Sequence, residues 1–172
     1  MDLNCRVIAD SLNISFDYQL HEKPLPLHRK CPLRIAVRYY PVTDMLKYYV
    51  VRKHKGKKIS AGGHFKEGYM HTAISELGTY SVALDTVAPR IVPLNKPQWK
   101  TGNIQFKIND AETGIKDYKV YIDGEFVLFK FSSKNSKLSC VHPQRIKRGV
   151  PHQMEVIITD YCDNKKIEEY QF

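Results

Sequence analysis

The stretch Tyr118-Lys119-Val120-Tyr121-Ile122-Asp123-Gly124-Glu125-Phe126-Val127-Leu128-Phe129-Lys130-Phe131 decides the fold. Its first five residues alternate apolar and polar, the period of a half-buried strand. Asp123-Gly124 follows, and a two-residue type I′ turn needs positive φ at both central positions, which Asp and Gly tolerate best. An apolar run then resumes. The segment therefore reads as a β-hairpin.

The same period recurs outward from it. Leu33, Ile35, Val37 and Tyr39 alternate with Arg34, Ala36 and Arg38; Ile104, Phe106 and Ile108 alternate with Gln105 and Lys107; and Met154, Val156 and Ile158 repeat the pattern. No stretch sustains a 3.6-residue period, and His142 to Gly149 has room for a single helical turn at most. Turn signals cut the chain at short intervals, at Lys55-Gly56, Glu67-Gly68, Leu77-Gly78, Glu112-Thr113-Gly114 and Asp163-Asn164. Many short strands so spaced indicate a sandwich or barrel. The chain is expected to be all-β, with two tandem antiparallel Ig-like or fibronectin-like β-sandwiches. Pro89 and Pro93 stiffen a linker after Leu84, which sets the modules at residues 1–84 and 85–172. Strand starts are expected near Arg6, Ile14, Leu33, Tyr48, Ile59, Met70 and Tyr80, and then near Ile91, Ile104, Tyr118, Phe126, Leu138, Met154 and Ile167.

The 172 residues carry a net charge of +9, with 13 Lys and Arg against 7 Asp and Glu before Asp85 and 14 against 11 from there on. A basic surface favours anionic partners, but solubility alone also accounts for it. The loudest charge feature is Arg52-Lys53-His54-Lys55-Gly56-Lys57-Lys58. It reads first as a solvated hairpin tip and second as a carboxylate or phosphate contact through Arg52, Lys53, Lys55, Lys57 and Lys58. Nucleic-acid modules show a broader basic face, so nucleic acid is not expected as a partner. No apolar run is long enough to span a membrane, and Met1 to Asp10 lacks the basic start and apolar stretch of a signal peptide. A monomer is expected. Cys5, Cys31, Cys140 and Cys162 offer no CxxC pair and read as buried thiols, with two disulfides arithmetically open.

Catalytic signatures are missing: there is no GxSxG, P-loop, GxGxxG or HExxH, so no catalytic residue is assigned and no enzyme is expected. Seven histidines are scattered, none at i, i+2 or i, i+4 from another. His64 and His71 flank a Gly turn, where a hairpin brings them together; exposed polar surface is the favoured reading and a zinc pair the lesser one. Strand direction gives the carboxylates more interest. If strands alternate in direction, Asp110, Glu112, Asp160 and Asp163 return to the linker end that holds Asp85. Five carboxylates so placed suit Ca²⁺ as a cofactor, since that ion takes six to eight oxygen ligands; otherwise each Asp caps its own turn.

The order of several motifs resembles a known family. Glu76-Leu-Gly-Thr-Tyr-Ser-Val-Ala-Leu-Asp-Thr-Val-Ala-Pro-Arg90 is followed by Gly102-Asn-Ile-Gln-Phe-Lys-Ile-Asn-Asp110, Glu112-Thr-Gly-Ile115, Tyr121-Ile-Asp-Gly124, Thr159-Asp160 and Asp163-Asn164. This resembles the C-terminal β-sandwich region that follows the catalytic domain of some Gram-negative lysostaphin-like (LytM-type) zinc metallopeptidases. The resemblance covers Pro24 to the C-terminus and is best from Glu76. That family binds zinc through H-x-x-x-D and H-x-H elements, and neither occurs here. His28 is followed four on by Pro32, and His64 by Gly68. The resemblance implies a non-catalytic accessory region of a peptidoglycan hydrolase in the cell envelope, binding wall polymer or another envelope protein, or acting as a spacer. A free-standing surface adhesion or protein-interaction module is the alternative.

Overall fold

Period-two sequence becomes strand wherever a two-residue turn can reverse the chain. The computed structural model of the protein describes residues 6–8, by backbone placement alone, and residues 14–172. Its strands are antiparallel and form four sheets. The chain divides into two compact units, Met1–Thr86 and Val87–Phe172.

In the first unit one sheet has the order β1-β2-β8-β4-β5: Arg6–Ile8, Asp17–Gln19, Thr79–Leu84, Tyr48–His54 and Lys57–Ser60. The other has the order β3-β7-β6: Leu25–Ala36, Tyr69–Leu77 and His64–Lys66. Ile35, Met70 and Ile74 from the second sheet pack with Tyr48, Val50, Tyr80 and Val82 from the first. Two sheets sharing one core by their inner faces make a sandwich. Pro26 and Pro32 lie on β3, an edge strand, where a missing N–H costs the ladder least.

The second unit repeats the plan. β13-β14-β10-β9 (Phe129–Ser132, Lys137–Cys140, Gln105–Asn109 and Arg90–Leu94) faces β12-β11-β15-β16 (Glu125–Phe126, Ile115–Ile122, Gln153–Asp160 and Lys165–Gln171). Phe106, Ile108, Leu138, Val120, Val156 and Ile158 fill the space between the two sheets. Trp99 closes the core from a 3-10 segment, Lys96–Thr101. Its ring lies 5.2 Å from Phe106 and 5.3 Å from Tyr170, and its indole N–H donates to the Leu94 carbonyl at 2.8 Å.

The founding hairpin forms as its turn chemistry dictates. Asp123 (φ 52°) and Gly124 (φ 82°) join Ile122 to Glu125. Beyond it the structure corrects the sequence reading. The single strand expected near Phe126 is two: β12 pairs with β11, and β13 pairs with β14 in the opposite sheet. A continuous apolar run carries no period-two mark to show where the chain changes sheets. The strand expected near Ile14 begins, among the described residues, at Asp17. The strand expected near Leu33 already starts at Leu25, across a register shift between Pro26 and Cys31.

Candidate functional site

Asp110 and Asp160 sit at the ends of β10 and β15, each just before a tight reversal. The Asp110 Oδ2 accepts backbone N–H groups from Glu112 (3.1 Å), Thr113 (2.8 Å) and Gly114 (2.8 Å). Asp160 Oδ1 accepts those of Cys162 and Asn164, each at 2.8 Å, and its Oδ2 accepts the Asn164 side-chain amide at 2.8 Å. A carboxylate placed this way satisfies donors that a turn leaves unpaired. The antiparallel topology does bring the two together, with a carboxylate oxygen of each within 4.8 Å. Asp163 turns to Lys116 instead, at 2.6 Å, and Glu112 is half-buried. Asp85 closes the first unit, where its backbone N–H donates to the Lys47 carbonyl at 2.9 Å.

The basic run folds as the β4–β5 hairpin, turned by Lys55 (φ 49°) and Gly56 (φ 74°). Its five cations are not equivalent. Arg52 forms an ion pair with Glu76, and Lys53 one with Asp17 at 2.7 Å. Lys55, Lys57 and Lys58 are exposed at the tip. The solvent-facing lysine charge of this hairpin thus lies mainly in three residues at its end.

A third arrangement was not legible in the sequence. His152, with 6% of its side chain exposed, places Nδ1 2.6 Å from Asp123 Oδ2 and Nε2 2.6 Å from the Lys147 carbonyl. Both neighbours are acceptors, so both ring nitrogens must donate, which only the imidazolium can do. The Lys147 carbonyl and then the Asp123 carboxylate hold the His152 pKa above the ordinary imidazole value. In return the His152 hydrogen bond, followed by the Gln153 N–H, draws the Asp123 pKa down. His152 also exchanges backbone hydrogen bonds with Phe172, so the pair ties the central hairpin to the chain's last residue. Asp123 and His152 are far apart in sequence, and only strand register joins them.

The histidine pair left open by its spacing does meet. His64 and His71 are directly opposed across β6 and β7, their rings stacked at 5.4 Å and 19°. The expectation of buried thiols holds only in part. Cys31 is exposed on the edge strand, Cys140 is half-buried and Cys162 is buried, with no disulfide among the described residues. Burial pushes the Cys140 thiol pKa up. Cys5 lies outside the described residues. Among the described residues no helix is long and apolar enough to cross a membrane.

Comparison with known proteins reaches the first unit. Residues 1–85 match the family model of the Zu5-like domain. No curated protein matches the chain. The Zu5-like match ends at Asp85, the residue after strand β8.

Proposed function

We propose that this chain is a non-catalytic accessory region of a cell-envelope peptidoglycan hydrolase, and that it positions the enzyme by docking on wall polymer. The observation that carries this reading is the β4–β5 arm. Glu76 and Asp17 anchor its base through Arg52 and Lys53, and Lys55, Lys57 and Lys58 project from its end. Peptidoglycan stems present repeated carboxylates, and three exposed ammonium groups near one hairpin end suit such a polyanion. The ordered motifs from Glu76 onward support the same assignment.

Cosedimentation with purified peptidoglycan tests it. The chain is expected in the pellet at low salt and in the supernatant at about 0.5 M salt, where screening shortens to a few ångströms. Replacing Lys55, Lys57 and Lys58 together by Gln is expected to weaken retention roughly tenfold, about 1.4 kcal/mol. A pelleted fraction no larger than in the absence of peptidoglycan overturns the proposal.

A further inference from the structure

We propose that His64 and His71 form a two-imidazole site for a divalent transition ion of the zinc and copper class, on the outer face of the first unit. Register carries the argument. Across β6, β7 and β3 one row reads Phe65–Met70–Ile35, with Met70 0% and Ile35 1% exposed, so that row faces the core. The adjacent row reads His64–His71–Arg34. Successive residues of a strand point to opposite faces, so this second row faces outward.

Directly opposed residues of an antiparallel pair hold their Cβ atoms about 4.5–5.5 Å apart. The rings already stand nearly parallel at 5.4 Å. Zinc binds imidazole nitrogen at about 2.0–2.1 Å, so side-chain torsion alone can bring one nitrogen of each ring to a shared ion. The backbone beneath is fixed. Glu67 (φ 52°) and Gly68 (φ 83°) make the tight turn that sets the register. Gly63 (φ 119°) packs so closely that an added Cβ would stand 3.0 Å from the His71 carbonyl oxygen. Tyr69 meets the His71 ring edge-on at 6.5 Å, which restricts that ring. The groove above is open, about 760 Å³, and is bordered by Pro32, Arg34 and Ala73.

The donor set fixes the class of ion. Imidazole nitrogen suits zinc, copper and nickel, whereas calcium and magnesium require several oxygens. Arg34, next in the row, adds positive charge and no donor. A hard cation held by charge alone gains nothing here, while an ion that bonds to nitrogen does. Water fills the remaining coordination positions, as in open sites. This site is independent of the lysine arm and of any wall-polymer binding.

Calorimetric titration of the full chain with zinc sulfate and with copper sulfate tests the site. One ion per chain is expected, bound more tightly for copper than for zinc, and calcium chloride does not compete. His64→Gln and His71→Gln are each expected to weaken zinc at least about tenfold. Zinc should raise the melting temperature of the parent chain and leave that of each variant unchanged. Should either variant fold poorly without metal, NMR of the unmodified chain decides: substoichiometric zinc must perturb the His64 and His71 imidazole signals before those of the other histidines. Unchanged zinc affinity in both folded variants, or perturbation confined to other histidines, overturns the proposal.

Discussion

His152 has an acceptor against each ring nitrogen, so its charge and the packing around it depend on each other. A histidine whose pKa is raised on folding adds stability that is fully present below its unfolded value of about 6.5 and is lost as pH rises through the folded value. Asp123, with a lowered pKa, works in the other direction: its contribution is present above the unfolded carboxylate value and is lost as pH falls through the folded one. The pair should therefore stabilise the second unit most from mildly acidic to near-neutral pH. Melting curves across this range are expected to fall on the alkaline side of the His152 transition, and His152→Gln should remove that alkaline limb. Parallel profiles for parent and variant would show that the pair does not control it. Asp110 offers a second test at this scale. Its Oδ2 serves three backbone donors, and Asp110→Ala leaves them to water or to nothing. Thr113 is buried, so the loss should be about 2 kcal/mol, read as a lower urea midpoint.

At the scale of elements, the turns were the most legible feature and the edges the least. Lys55-Gly56, Glu67-Gly68 and Asp123-Gly124 each adopt positive φ at both positions, as their residue types require. Ile104, Phe106, Val120 and Val156 were marked as core by alternation alone, and they pack together. The change of sheet between Phe126 and Phe129 was hidden, because Phe126-Val127-Leu128-Phe129 is apolar throughout. Among the site residues, the basic hairpin was plain from charge. The neutralisation of its base by Glu76 and Asp17 depends on strands distant in sequence, which local pattern cannot report. Gly102 shows how far a turn can depend on one such distant neighbour. It ends the 3-10 segment at φ 84°, donating its N–H to the Trp99 carbonyl. A Cβ there would stand 2.2 Å from the Pro143 carbonyl oxygen, which is backbone and cannot swing away. Gly102→Ala combines that overlap with a strained φ, and should cost more than about 2 kcal/mol. Trp99 fluorescence during urea unfolding measures it, and a variant as stable as the parent would mean that the Pro143 loop yields.

At the scale of the whole chain, each unit carries its own two-sheet core, one built around Ile35, Val50 and Met70 and the other around Trp99, Phe106 and Ile158. A unit under about 100 residues buries a smaller share of its surface than a larger domain, and its margin of stability is of order 0.1 kcal/mol per residue. Independence is therefore a demanding claim, and Trp99 makes it testable, since it is the chain's sole tryptophan. The groups found around its ring belong to residues 87–172, among them Phe106, Tyr170, Phe172, the Lys96 ammonium and the Leu94 carbonyl. A fragment of residues 87–172 alone is expected to unfold in one cooperative transition, with a native tryptophan emission maximum equal to that of the full chain. The His152 pH profile should persist in this fragment, because Asp123, Lys147 and Phe172 all remain in it. Solvent-exposed emission from the fragment would mean that the second core requires the first unit. Native emission with the pH profile lost would instead place the control of that profile outside residues 87–172.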